Sequence, residues 1–134
     1  MGLFRITHTN FEENFNTDEF DTMHPHEWAG NSIERINEPA WKQRYDYEAR
    51  LICNIIKENP HIKNVLELGS GPGVLSQKIQ ETYSDLTYHL VDKPHAEEYF
   101  TKNESKGTFF VKDLSSGFDT EGLLDEYDLI ITND

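Results

Sequence analysis

VLELGSGPG, residues 65–73, is the stretch on which the reading of this chain turns. A short apolar run, Val65-Leu66-Glu67-Leu68, meets a glycine-rich turn, Gly69-Ser70-Gly71-Pro72-Gly73. Val74, Leu75 and Ile79, with Lys78 and Gln80, then predict a helix to about Tyr83. A strand that passes through a glycine turn into a helix brings backbone N–H groups close to a ligand. Gly69 and Gly71 permit the tight turn and a close approach, and Gly73 permits close packing where the helix starts. The spacing is G-x-G-x-G. A dinucleotide fingerprint needs Gly or Ala where this chain has Val74, and the Gly-Lys-Ser/Thr of a phosphate-binding Walker loop does not follow. A carboxylate at Glu67 would repel a pyrophosphate but suits a cationic ligand. Capping of nearby backbone N–H groups is its plainer role.

Outward from the loop, the chain alternates. Upstream, a helix starts near Pro39, which suits a first helical turn. Trp41, Tyr45, Ala49, Ile52, Ile55 and Ile56 form one apolar stripe, with Lys42, Arg44, Asp46, Arg50 and Lys57 mostly off it. Asn59-Pro60 ends it, because the residue before proline avoids the helical region. Downstream, 86–91 reads as a strand ending at Asp92, 94–101 as a short helix, 108–111 as a strand ending at Asp113, and 127–131 as a fourth strand. Strands and helices joined by short links imply βαβ units and a parallel sheet. Asp92 lies 92 − 73 = 19 residues beyond Gly73, a position that suits ribose hydroxyls. Asp113 is placed to accept from an exocyclic amine. Either aspartate alone could equally be a helix N-cap. With Glu67, three acids then stand at successive strand ends facing one crevice.

Four segments in this order, VLELGSGPG (65–73), LVD (90–92), VKDLS (111–115) and YDLIITND (127–134), resemble the class I S-adenosylmethionine-dependent methyltransferases over residues 40–134. The resemblance implies an α/β, Rossmann-like three-layer sandwich with a mainly parallel sheet. It implies S-adenosylmethionine as cofactor, with the glycine loop around its methionine part, Asp92 on the ribose, Asp113 on the adenine amino group and the Leu114 N–H on the ring. The candidate cofactor site is thus Glu67, Gly69, Ser70, Gly71, Gly73, Asp92, Lys93, Asp113, Leu114 and Asn133. No catalytic residue is assigned. The family has seven strands, and the sequence stops after the fourth, so the expectation is an N-terminal half with strand order 3-2-1-4. The fourth strand, apolar and unguarded by lysine or proline, would be an edge open to self-association.

Residues 1–36, with irregular aromatics at Phe4, Phe11, Phe15, Phe20 and Trp28 in an acidic context, read as an irregular arm or lid over the crevice, and 37–134 as the partial methyltransferase domain. The 134 residues carry 12 Lys+Arg against 25 Asp+Glu, a net charge of −13. That argues against nucleic acid or an anionic membrane as partner and for a small-molecule or protein acceptor. No apolar run reaches the roughly 20 residues of a membrane span. One cysteine, Cys53, excludes an internal disulfide; it reads as a small hydrophobe beside Ile52, and the expected compartment is the cytoplasm. His24-Pro25-His26-Glu27 reads as a polar loop rather than a metal site. Trp28, Trp41 and Tyr45 are secondary candidates to border the pocket. The rival reading is a non-catalytic cofactor-binding module, or an interaction protein that needs a partner to complete the sheet.

Overall fold

The computed structural model describes residues 2–3, 39–114 and 119–132. The readings made for the arm beyond Leu3, for the Trp41 side chain and for Asn133 and Asp134 lie outside the described residues. Along the chain run β1 (Gly2–Leu3), α1 (Pro39–Glu58), β2 (Asn64–Leu68), α2 (Val74–Thr82), β3 (Thr87–Asp92), α3 (Pro94–Lys102), β4 (Thr108–Val111) and β5 (Leu129–Thr132). All pairings are parallel, in the order β1-β5-β2-β3-β4. The four expected strands therefore lie in the expected 3-2-1-4 order, in a Rossmann-like α/β fold.

One strand was not foreseen. β1 pairs Gly2 with Leu129 and Leu3 with Ile130, so β5 is not the outermost strand. The expected bare edge is covered for two of its residues. The reason is the one that made the edge a liability: a strand flank carries unpaired N–H and C=O groups, and a short neighbour satisfies some of them. A two-residue strand has no period to read, so the sequence carries no sign of it.

Strand alternation sorts the core into two layers. On one face, Val65, Tyr88, Leu90, Leu129 and Ile131 pack against Tyr45, Ala49, Ile52 and Ile56 of α1, Val74, Leu75 and Ile79 of α2, and Phe100 of α3. On the other, Leu66, Val91 and Tyr127 are buried with Leu68, Phe110, Leu114, Leu123 and Ile130. There the covering layer comes from turns in 112–128, without a helix among the described residues.

α1 runs as its stripe predicts, with one correction: Arg44 is not off the buried side. It is 5% exposed, and its Nε donates to Glu48 Oε1 at 3.0 Å, one turn on, inside the protein. Cys53 is half-buried against the helix-covered core, which pushes its thiol pKa up. At the helix end the Asn59 side chain donates to the Ile55 carbonyl (2.8 Å). β5 starts two residues later than expected. Tyr127 instead packs on the turn-covered face, and Asp128 Oδ2 accepts from the Lys63 and Asn64 N–H groups, both at 2.9 Å, aligning β5 with β2.

Candidate functional site

The glycine loop continues the β2–β3 ladder before it turns. Gly69 N–H donates to the Val91 carbonyl at 2.9 Å, and Gly73 N–H to the Ser70 carbonyl at 3.3 Å. The Ser70 hydroxyl is buried and donates to the Gly71 carbonyl (3.3 Å). Gly73 has φ +86°, and a Cβ there would sit 2.9 Å from a Phe100 ring carbon. Glycine is thus required twice over at this position, once by the left-handed backbone and once by the closeness of α3.

Asp92, at the end of β3, ties the loop to the next helix. Its Oδ2 accepts the Gly71 N–H at 2.7 Å and its Oδ1 the Lys93 N–H at 2.8 Å. A carboxylate has about four acceptor positions, so two N–H donors leave room for a pair of hydroxyls. Lys93 is exposed and precedes α3; its part here is its backbone N–H.

β3 and β4 pair up to Asp92 and Val111, and the Lys112 N–H extends the ladder with a 3.0 Å bond to the Asp92 carbonyl. That register brings the exposed Asp113 to the strand end next to Asp92. Leu114 turns back onto the second face of the sheet. The Lys112 ammonium holds the far side of the segment, donating to Asp119 Oδ1 (2.9 Å) and the Glu121 carbonyl (3.0 Å).

Glu67 stands elsewhere than the sequence suggested. It is 0% exposed, on the helix-covered face, where it accepts the Tyr88 hydroxyl at 2.5 Å. Alternation along β2 aims it the same way as Val65, into the core beneath the loop rather than into the crevice. Burial and the Glu67 charge hold the Tyr88 phenol well above its ordinary pKa, and burial does the same for Tyr45, helped by Glu48 and Glu67. Glu67 is therefore closed off from solvent and hydrogen-bonded to the neighbouring strand β3. Tyr45 is core, not pocket lining.

The structure thus brings together the glycine loop, Asp92, Lys93 and Asp113. It sends Glu67 and Leu114 to opposite faces of the sheet. Sequence reading missed Tyr88, whose signal was an acid in the middle of an apolar strand, which needs a buried donor. It also missed Lys112, for which a single basic residue between two ligand-end positions gave no pattern. Among the described residues, no group of three or more His, Cys, Asp and Glu is placed to hold a metal, and no helix is long and apolar enough to cross a membrane.

Residues 41–134 match the family model of the methyltransferase small domain. Among solved structures, the chain is similar to coclaurine N-methyltransferase bound to N-methylheliamine and SAH, with 21% identity over 65% of this chain and 26% of that one (TM-score 0.45). It is also similar to an O-methyltransferase family protein from Burkholderia thailandensis, with 18% identity over 62% of this chain and 29% of that one (TM-score 0.37). The chain spans less than a third of the length of either. No match is found among curated proteins.

Proposed function

The chain belongs to the methyltransferase small domain family, and from that premise we propose that it acts as an S-adenosylmethionine-dependent methyltransferase on a small-molecule or protein acceptor. S-adenosylmethionine is the cofactor that family membership implies. When bound, it would supply an electrophilic methyl group, carried on a sulfonium, to the lone pair of the acceptor. The protein's share is placement and exclusion of water, since a good nucleophile needs little acid–base help.

The observation that carries the reading is the Asp92 carboxylate, fixed by the Gly71 and Lys93 N–H groups at the end of β3. In that setting it takes the ribose hydroxyls with its remaining acceptor positions. The glycine loop takes the methionine part, and Asp113 the adenine amino group. The net charge of −13 turns nucleic-acid phosphates away. The single cysteine and the acidic surface fit a cytoplasmic setting.

Calorimetry with S-adenosylmethionine and S-adenosylhomocysteine tests the site. Asp92→Ala removes charge-assisted contacts and should weaken binding by about 1.5–3 kcal/mol. Affinity unchanged in that variant refutes the assignment. A methyl-transfer assay across small-molecule and protein acceptors then identifies the reaction.

A second reading is a cofactor-binding module that works through pairing with another chain. It draws on β5, an apolar strand whose outer flank is paired, among the described residues, at Leu129 and Ile130. Sedimentation over a concentration series distinguishes a chain that self-associates from a monomer.

A further inference from the structure

The glycine loop is held from two sides. On the entering side, the Val91 carbonyl and the Asp92 carboxylate of β3 accept the Gly69 and Gly71 N–H groups. On the leaving side the contacts come from residues 103–107, the turn between α3 and β4. There the Ser105 hydroxyl donates to the Pro72 carbonyl at 3.3 Å. The Ser105 N–H donates to the Phe100 carbonyl at 3.1 Å, and the Phe100 ring is the group that lies against Gly73. Phe100 and Ser105 together thus meet both residues of the Pro72-Gly73 step. The turn is itself fixed by α2, the helix into which the loop opens. Two glutamines about one helical turn apart grip the same residue: Gln77 Oε1 accepts the Lys106 N–H at 3.2 Å, and Gln80 Nε2 donates to the Lys106 carbonyl at 2.9 Å. Gln80 is buried. Gly107 then seats the turn closely against β3: its φ is +110°, and a Cβ there would come 2.7 Å from Leu90 Cδ1 and 2.9 Å from the Tyr88 carbonyl oxygen.

We propose that Ser105 is a positioning residue for the glycine loop, fixing its Pro72-Gly73 end for the amino-acid end of the cofactor. This rests on the reading given under Proposed function, in which the loop takes the methionine part. Three of the loop's five residues are glycine, so side chains of its own restrain it little. A segment of that kind loses freedom when it closes on a ligand, and contacts made beforehand spare part of that cost. Ser105 supplies such a contact from outside the loop, on a turn that Gln77 and Gln80 hold in place. Its effect is local to one end of the ligand. Asp92, the group read as meeting the ribose, is fixed by the Gly71 and Lys93 N–H groups, and neither bond involves Ser105. Loss of the Ser105 hydroxyl is therefore felt by a ligand that carries the amino-acid chain and hardly by one that lacks it.

The test uses the full chain and two probes, S-adenosylhomocysteine and 5′-methylthioadenosine, which keeps the adenosine and the sulfur but carries a methyl group in place of the amino-acid chain. Titration calorimetry gives the ratio of their affinities for the unaltered protein, Ser105→Ala and Ser105→Thr. We expect the unaltered protein to prefer S-adenosylhomocysteine, and Ser105→Ala to cut that preference by about fivefold, the order of one neutral hydrogen bond. Ser105→Thr, which keeps a hydroxyl, should restore most of it. A preference that stays constant in Ser105→Ala overturns the proposal, whether both probes bind as before or both weaken equally as in a general loss of stability. If Ser105→Ala does not fold, Gln80→Met, which frees the turn at Lys106, carries the comparison. An unaltered protein that binds neither probe overturns the cofactor assignment and this inference with it; one that binds S-adenosylhomocysteine with an unmoved preference in the variant overturns the inference alone.

Discussion

The two faces of the sheet are built from alternate residues of the same strands, yet they are covered in different ways. One face carries three helices and a closed apolar core, with two carboxylates, Glu48 and Glu67, and two phenols sealed inside. The other carries turns, pinned by a histidine, a tyrosine and a few half-buried leucines. The helical face sets stability and supports the glycine loop from beneath. The turn-covered face places the segment that carries Asp113. The candidate site residues Asp92 and Asp113 stand where the two meet, at the strand ends. A fully buried layer and a half-buried one thus meet along the same strand ends.

The sharpest way to break this contrast is a matched pair of truncations. Ile79→Ala on α2, at a fully buried site, should cost about 2–5 kcal/mol in urea unfolding. Leu123→Ala, half-buried on the turn-covered face, should cost less than about 1.5 kcal/mol, since the turns can settle into the gap. Equal losses would mean that both layers are packed alike.

A smaller effect is expected where the helical face meets the loop. Gly73→Ala forces a Cβ against Phe100 and a side chain onto a left-handed residue, at a cost of about 1–3 kcal/mol. Adding Phe100→Leu should recover part of that if the contact with α3 is what matters. No recovery would assign the whole cost to the backbone.

The smallest effect belongs to the turn-covered face and reads out in pH. Tyr127 Oη accepts the Leu124 N–H at 3.0 Å and is hydrogen-bonded to His89 Nδ1, 2.7 Å away, with the donor set by the imidazole tautomer. Burial lowers the His89 pKa, which favours the neutral imidazole in the folded protein. The unfolded chain then binds a proton that the folded protein refuses. The stabilisation is complete above about pH 6.5 and is lost as pH falls from there through the folded value. Melts between pH 7.5 and 5 should show this decline, and His89→Asn should flatten it. A flat profile in the unaltered protein would mean that the histidine is accessible to protons on both sides of the transition.

Much of this was legible in the residues, for physical reasons that also mark where legibility stops. α1, β2 and the loop follow from periods and from glycine, which are local properties, and parallel order follows from the short links between strands. Asp92 could be placed because a residue at a strand end has few places to go. Glu67 could not, because its direction depends on which face the helices choose, and a lone acid does not report that. Arg44 was read as solvent-facing from its charge alone, and only the nearness of Glu48 one turn away makes its burial affordable. Lys112 and Tyr127 depend on contacts across turns that no period records.

β1 raises a question of timing. Its partners on β5 lie 129 − 2 = 127 residues along the chain. If β1 found β5 in an unfolded chain, it would have to close a loop of that length. If β5 has already docked beside β2, with α1 in place, the remaining closure runs from Leu3 to Pro39, 39 − 3 = 36 residues. The shorter closure is cheaper by about 1 kcal/mol of chain entropy. Two residue pairs offer little to set against either cost. β1 is therefore the last strand to join and the first to leave, and amide exchange should find its ladder opening well before the pairing of β2 with β3.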